Sequence, residues 1–246
     1  MSSIIDRARQ DACAYADGGV DALIVENEGD IPFLKPDQIG PETVACLTSV
    51  AQAVTEVVDL PIGIMCLANA AIESLAIAKA VDAKFIRSNQ WANAYVANEG
   101  IIEGAAAQAL RFRSAIHGHT IRILADVHVK HGSHAIVADR DIAELTRDVE
   151  AFDADVLIAT GQRTGDPTQE QEVTAIKKAA TKEVLVGSGL TADNAAELIA
   201  VADGAIVGSS MKMDGVWWQP VDPQRVRRVM REVGRVRESM TSHPDP

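Results

Sequence analysis

The chain has 246 residues, a usual length for one (β/α)8 barrel and enough to bury a large core. Apolar residues make up 47% of it and aromatic residues only 4%, so the core must be built from Ala, Val, Ile and Leu, as helices packed on a buried parallel sheet require. The formal net charge of −12 argues against nucleic acid or an anionic membrane surface as the main partner.

Short apolar segments alternate with longer segments of helical periodicity along the whole chain. The first element is a helix over residues 3–17, which the pair Gly18 and Gly19 ends. Predicted strands follow at residues 22–26, 61–66, 84–88, 121–129, 156–159, 183–186 and 205–207. Predicted helices lie between them at residues 44–58, 70–81, 101–116, 142–152, 168–180 and 192–201. No linker interrupts the alternation, which predicts one domain over residues 1–246 and a parallel sheet with right-handed crossovers.

Two folds compete for this pattern, the (β/α)8 TIM barrel and the doubly wound open sheet. No Gly-x-Gly-x-x-Gly follows the first strand, whereas glycine loops follow the last two strands, which favours the barrel. The predicted strands are one too few, and the chain opens with a helix where a barrel opens with a strand. We therefore expect an α/β TIM barrel that lacks its first strand in this chain, with an apolar strand encoded upstream. A barrel that is open at this place is the alternative.

The strand at residues 121–129 carries the most chemical information. Its odd positions are apolar, so period-two alternation turns them toward the helices and points Asp126, His128 and Lys130 into the barrel. Three ionisable groups on one face are typical of an acid–base or ligand-orienting cluster, with Asp126 deepest and Lys130 nearest the substrate. The alternative is an internal ion pair that fills the barrel, although buried charges are costly without a function or a partner.

Two glycine-containing loops follow the last two predicted strands, where barrels commonly bind phosphate. The first loop leads into a helix whose N-terminal amides can hold an anion, and the second adds two hydroxyl groups. Each loop alone is a weak signal, because turns of this kind are often purely structural. Together they predict a phosphate site formed by Gly187, Ser188, Gly189, Gly208, Ser209 and Ser210.

Polar residues also end other predicted strands. Glu26 is expected to orient substrate hydroxyls in catalysis, while Asn27 and Asp30 either contact substrate or stabilise a turn. Arg87 either clamps a carboxylate or phosphate or pairs with Asp126 inside the barrel. Further predicted substrate contacts are Asn89, Thr160 and Gly161, of which the last two are also consistent with a plain turn.

Other polar clusters predict neither a metal site nor a cofactor. Glu99 and Glu103 are four residues apart and are expected to share a solvated helix face. The histidines show no zinc spacing, and the three cysteines are widely spaced, as is typical of a reducing cytoplasm. No apolar run is long enough to span a membrane, and the start of the chain is unlike a signal peptide, so we expect a cytoplasmic protein that is not an integral membrane protein.

Several segments together resemble the BtpA family. They are GGVDALIVENEGDIPF at 18–33, EGIIEG at 99–104, ADVHVKH at 125–131, GSG at 187–189 with Asn194, DGAIVGS at 203–209, DGVW at 214–217 and PVDP at 220–223. The resemblance covers essentially the whole chain. Family members usually begin with an additional strand rich in His and Pro, which this sequence does not show before its first helix.

What the resemblance implies is a TIM-barrel fold and a site, more than a reaction. The founding role of the family lies in the accumulation of photosystem I proteins in cyanobacteria, and other relatives occur in settings that suggest sugar metabolism. Two hypotheses follow: an enzyme acting on a phosphorylated sugar or nucleoside derivative, and a non-catalytic assembly factor. The ionisable cluster favours the enzyme, because an assembly factor does not need one.

Three further expectations concern the environment and partners of the molecule. We expect a phosphorylated small-molecule ligand, no nucleic acid, and a homo-oligomer, because an open barrel leaves unpaired strand edges. The acidic surface also suits a salt-rich cytoplasm, which makes a halophilic source one hypothesis and a mesophilic source with an ordinary acidic protein the other.

Overall fold

The protein is described by a computed structural model over residues 1–161 and 170–242. Its strands are β1 (Leu23–Glu26), β2 (Ile62–Met65), β3 (Phe85–Ser88), β4 (Ala94–Ala97), β5 (Gly100–Glu103), β6 (Arg122–Asp126), β7 (Gly132–Ser133), β8 (Val156–Ala159), β9 (Val184–Val186) and β10 (Gly204–Ala205). Its helices are α1 (Ser2–Asp17), α2 (Pro41–Thr55), α3 (Ala71–Ala80), α4 (Ala106–Ala115), α5 (Ile142–Ala151), α6 (Glu170–Ala179), α7 (Ala195–Val201) and α8 (Pro223–Ser242).

Most strands belong to one parallel sheet, called the barrel sheet below. Its order is β1-β2-β3-β6-β8-β9-β10, so each strand pairs with the next one of the set along the chain. A helix crosses over between successive strands, which is the connection that parallel pairing requires. Every predicted strand is confirmed, with shifts of a few residues at the ends, and so is the TIM-barrel class.

The barrel sheet is open between its first and last strands. Within residues 1–161 and 170–242, β1 pairs only with β2 and β10 pairs only with β9. In a complete barrel an eighth strand would lie between β1 and β10 and pair with both. Helix α1 contacts both α2 and α8, so it covers the outside of this gap. The expectation of a barrel that is one strand short in this chain is therefore confirmed.

Two apolar layers hold the barrel sheet in place. The larger layer joins sheet and helices, and Ile123 and Ala125 of β6 are fully buried in it. The smaller layer lies inside the barrel, where Leu124 packs with Ile158. Gly63 is part of this packing, since a Cβ atom there would lie 2.0 Å from the ring of Phe85. The predicted alternation along β6 is thus confirmed up to Asp126, where the strand ends.

The helix predicted at residues 101–116 was wrong over its first turn. Residues Gly100–Glu103 form β5, which pairs with β4, and β4 pairs on its other side with β7; these strands are called the small sheet below. Tyr95 and Ile102 face each other across the small sheet and pack with Val129 in a separate apolar cluster. This packing favours a β-hairpin at this place in the chain and not the predicted helix.

The small sheet also corrects two other expectations. Glu99 and Glu103 do not share a helix face, since Glu99 lies in the turn before β5 and Glu103 lies at its end, opposite Ala94. The strand predicted to continue to Val129 stops at Asp126, because Val129 packs on the small sheet and the chain has to leave the barrel to reach it. Among the helices in the described ranges, none has the length and apolarity that a membrane crossing requires.

Candidate functional site

A large cavity lies at the carboxyl ends of the barrel strands, the position where barrel enzymes carry their functional groups. Its volume is about 2050 Å³, and it continues from the mouth into the gap beside β1 and β10. Of the predicted site residues, those that line it are Glu26, Arg87, Asn89, Lys130, Gly187, Ser188, Gly189, Gly208, Ser209 and Ser210.

Arg87 and Asp126 form a buried ion pair behind the cavity wall. The Arg87 Nε donates to Asp126 Oδ1 and its Nη2 donates to Oδ2, both at 3.0 Å. The two side chains are 6% and 0% exposed. Burial acts to lower the pKa of the Arg87 guanidinium, but the Asp126 carboxylate outweighs it and raises that pKa above the ordinary value. Of the two roles considered for Arg87, the structure shows the ion pair with Asp126 inside the barrel. Arg87 also lines the cavity.

Lys130 lies beside the first glycine loop. Its Nζ donates to the Ser188 Oγ at 3.3 Å, so a cation and a hydroxyl meet at the cavity wall. Burial, followed by the charge of Arg87, lowers the pKa of the Lys130 ammonium, and the nearby carboxylates oppose this shift. The half-buried cation is therefore held next to a loop that is rich in backbone amides.

Thr160 positions the backbone that carries Lys130. Its buried Oγ1 accepts a hydrogen bond from the Lys130 N–H at 3.2 Å and donates to the His128 carbonyl oxygen at 3.1 Å. Thr160 and Gly161, both predicted as substrate contacts, are absent from the described cavity lining. Gly161, with φ +70°, is the last residue before a segment that includes Gly165, which lies outside the described residues.

His128 does not share a face with Asp126 and Lys130. Its ring stacks on His134 with centroids 3.8 Å apart, and His134 stacks in turn on Tyr95 of the small sheet at 5.2 Å. Burial, and then the neighbouring His134, lower the pKa of His128 to about 4, so the ring is neutral at pH 7. The chain leaves the barrel after Asp126, and this departure turns His128 under the small sheet and out of the described cavity lining.

The segment after β1 folds into a short turn. Asn27 donates from its Nδ2 to Asp30 Oδ2 at 2.9 Å, and its Oδ1 accepts from the Leu67 N–H at 2.7 Å. Asn27 and Asp30 are thus hydrogen-bonded to each other within the turn, an arrangement that favours turn stabilisation over substrate contact, and neither is among the described lining residues. Glu26 is exposed at the end of β1, where the barrel gap opens.

Glu28 is a site residue that the sequence did not reveal. It is half-buried within the turn Glu28–Asp30 and lines the cavity. Burial first, and the charge of Glu26 second, raise the pKa of its carboxyl group to about 7, although Lys130 and Arg87 act to lower it. No local pattern marks this residue, because its burial arises only where the turn meets the rest of the folded chain, and the neighbouring Asn27 is bonded to Leu67, forty residues away.

The two glycine loops lie side by side because β9 and β10 are neighbours. The Ser210 Oγ donates to the Leu190 carbonyl oxygen at 2.7 Å and ties the second loop to the first. Gly187 has a packing role, since its N–H donates to the Ala159 carbonyl at 2.6 Å and a Cβ atom would lie 2.4 Å from Ile158. Asn194 was cited only for the resemblance, yet its Nδ2 donates to the Gly189 carbonyl at 2.9 Å and shapes the loop.

A metal centre finds no support in the described parts of the chain. Residues 1–161 and 170–242 contain no group of three or more His, Cys, Asp or Glu side chains placed to hold an ion.

A curled parallel sheet of βα units with a large cavity at its carboxyl ends defines a protein of the TIM-barrel class. The chain belongs to the BtpA family, whose model matches residues 1–235. An uncharacterised protein of Archaeoglobus fulgidus is 42% identical over 231 residues, covering 94% of this chain and 89% of its own length. The photosystem I biogenesis protein BtpA of Synechocystis is 39% identical over 227 residues, covering 92% and 78%.

Solved structures support the same fold at much lower identity. The N-(5'-phosphoribosyl)anthranilate isomerase of Pyrococcus furiosus is 15% identical with a TM-score of 0.62, over 94% of this chain and 96% of its own. The thiamine phosphate pyrophosphorylase of the same organism is 16% identical with a TM-score of 0.60, over 94% and 90%. At this identity the likeness concerns the barrel architecture alone.

Proposed function

We propose that the protein is an enzyme that acts on a phosphorylated small molecule, of sugar or nucleoside type, bound in the mouth of the barrel. The observation that carries the proposal is the contact between Lys130 and Ser188 at 3.3 Å. It brings a desolvated cation to the glycine loop that lies beside the second such loop. A cation, hydroxyl groups and backbone amides around one cavity are the groups that bind a phosphate ester.

The ligand would lie between the glycine loops and the end of β1. Lys130 and Ser188 would hold the phosphate, and the guanidinium edge of Arg87 would add positive potential, since Asp126 fixes its orientation. Glu26 would accept hydrogen bonds from hydroxyl groups at the far end. In this arrangement the Lys130 ammonium stabilises negative charge on the ligand. Asp126 does not contact the ligand itself and acts by orienting the Arg87 guanidinium.

The names of two structural relatives agree with this choice of ligand. One is a thiamine phosphate pyrophosphorylase and the other a phosphoribosylanthranilate isomerase, and both names contain a phosphorylated compound. Barrels of this kind commonly bind phosphate at the loops after the last two strands, which is the location of residues 187–189 and 208–210.

The second candidate function is assistance in assembling a membrane protein complex. One observation favours it: 39% identity to a cyanobacterial protein whose name assigns it to photosystem I biogenesis. Such a role would need a docking surface and would not need the charged cavity. Substitutions within the cavity therefore separate the two candidates, because they would leave assembly unaffected.

The proposal is tested by thermal unfolding in phosphate, with chloride at equal ionic strength as the reference. At a hundredfold excess over its dissociation constant, phosphate would contribute about 2.7 kcal/mol, a shift of roughly 5–10 °C for a chain of this size. Lys130→Ala should abolish the shift, and Lys84→Ala, a substitution before β3 at the amino ends of the strands, should keep it. A parent protein that responds equally to both anions would refute the anion site.

A further inference from the structure

We propose that Glu28 is the group that exchanges a proton with the ligand in the cavity. The inference rests on the proposed function for the identity of that ligand, a phosphate ester held by Lys130 and the glycine loops. The position of Glu28 is fixed by its turn, in which the Asp30 N–H donates to the Asn27 carbonyl at 2.9 Å and Asn27 is bonded to Leu67. The turn thus places Glu28 in the lining of the cavity.

The charges that act on Glu28 favour a proton on its carboxyl group. Arg87 and Asp126 neutralise each other through their two hydrogen bonds. Among the groups whose charges act on Glu28, Lys130 is then the cation that is left opposite the carboxyl groups of Glu26 and Glu28. Glu26 is exposed and can stay hydrated, whereas Glu28 is half-buried, so the proton resides on Glu28.

The raised pKa of the Glu28 carboxyl group agrees with a proton bound at this position. Burial and Glu26 raise it to about 7, close to the pH at which a general acid–base group works best. The groups whose charges act on it are Glu26 of β1, Lys130 after β6 and Arg87 of β3. His131, after β6, and Glu99, from the turn before β5, line the same cavity.

The chemistry follows from this placement. The O–H bond of the Glu28 carboxyl group breaks as an O–H bond to a carbonyl oxygen of the ligand forms, and Glu28 becomes a carboxylate, which the Lys130 ammonium stabilises. The reverse transfer restores the acid, so no other reactant is needed. A dianion that binds beside Lys130 weakens this stabilisation and raises the proton affinity of Glu28. Binding of an anion should therefore be accompanied by uptake of a proton.

The first measurement is the carboxyl titration of the glutamates by 13C NMR. In the parent we expect a glutamate signal that titrates close to neutral pH, unchanged in Glu99→Gln and missing in Glu28→Gln, a nearly isosteric substitution. Glu172→Gln identifies the signal of Glu172, because burial raises the pKa of that carboxyl group as well. Glu99 lines the same cavity and is the matched control. If every glutamate of the parent titrates in the ordinary acidic range, or if the neutral titration persists in Glu28→Gln, the assignment is wrong.

The second measurement is calorimetric titration with sulfate, which keeps both charges across the neutral range, in buffers of different ionisation enthalpy. It is carried out slightly above pH 7, where Glu28 has partly lost its proton before sulfate binds. The parent should take up a proton on binding sulfate, while Glu28→Gln should bind sulfate without that uptake. Sulfate binding with no proton uptake by the parent would overturn the coupling. If sulfate does not bind at all, the anion site of the proposed function fails, and the NMR titration still decides the protonation of Glu28.

Discussion

Arg87 and Asp126 show how residues on two strands become one unit. In the register of β3 and β6, Arg87 lies beside Leu124, so Asp126, two residues further along, points to the same face. The sequence placed both residues inside the barrel and left two roles for Arg87. Only the paired strands reveal that both oxygens of Asp126 are occupied by its guanidinium.

The ion pair between Arg87 and Asp126 should affect the free energy of unfolding, because both side chains are almost fully buried. Asp126→Asn leaves the Arg87 charge without its counterion and should lower the free energy of unfolding by about 3–5 kcal/mol. Asp193→Asn is the control, since the side chains of Asp193 and Arg228 are 82% and 63% exposed, and it should cost only about 0–1 kcal/mol. Urea unfolding measures both, and equal losses would contradict the role of burial.

Glu28 leads to a pH-dependent prediction. The folded protein keeps its proton up to about pH 7, whereas an unfolded glutamate releases it near 4.5. The folded state thus binds more protons across this window, so the contribution of Glu28 to the free energy of unfolding falls as the pH rises from 4.5 to about 7 and is constant above it. Glu28→Gln should become progressively more stable than the parent over the same window.

Urea unfolding of the parent, Glu28→Gln and Glu99→Gln at a series of pH values measures this difference. Other groups that titrate in this range, such as His128, affect the parent and the variant equally and cancel in the comparison. A difference between Glu28→Gln and the parent that does not vary with pH would show that Glu28 has an ordinary pKa in the folded protein.

At the scale of elements, contacts with the small sheet determine the environment of the side chains that follow strand β6. The stack of His128, His134 and Tyr95 joins the segment after β6 to β4. Burial, and then His134, lower the pKa of His128 from 6.5 to about 4, so the folded state binds fewer protons than the unfolded state between these values. Its contribution to stability is complete above pH 6.5 and is lost as the pH falls toward about 4.

We expect His128→Phe to keep the stacked arrangement and to remove this loss, so its stability should depend less on pH in that range. The exposed His119→Phe serves as the control and should follow the parent. Circular dichroism during urea unfolding measures both variants. An unchanged pH dependence in His128→Phe would mean that His128 is not buried against His134.

The elements also show what a sequence can and cannot predict here. The strands of the barrel sheet were predictable because each is a short apolar segment between helical patterns. The hairpin of β4 and β5 was not, since Ile101 and Ile102 are adjacent apolar residues without alternation and precede a helical pattern. Val127 and Val129 continued the alternation of β6 in the sequence, although Val129 packs on the small sheet.

The candidate site was predictable in part for a similar reason. Lys130 and the glycine loops follow strands, and strand ends of a parallel sheet meet at one edge, so their meeting could be foreseen. The hydrogen bond between Asn27 and Leu67 and the position of Thr160 beside Lys130 could not, because they join residues at least thirty positions apart. The burial of Glu28 likewise appears only in the folded cavity.

At the scale of the whole molecule, the gap between β1 and β10 determines where the barrel is weakest. Strands with one neighbour expose backbone N–H and C=O groups to water, and such segments open with a lower free energy than central strands. The cavity also extends into this gap, so apolar side chains of β1 lack packing on that side. Both effects predict a gradient of stability across the barrel sheet.

Hydrogen–deuterium exchange followed by mass spectrometry measures this gradient. Backbone amides of β1 and β10 should exchange much faster than those of β6 and β8, which are paired on both sides. The small sheet offers an internal comparison, because its outer strand β5 also has a single partner in the described chain.

The comparison is made in dilute protein and again at high concentration, since a homo-oligomer that pairs its open edges would protect β1 and β10 as the concentration rises. Equal protection of edge and central strands in dilute protein would mean that the barrel sheet is closed in solution by a contact outside the described residues.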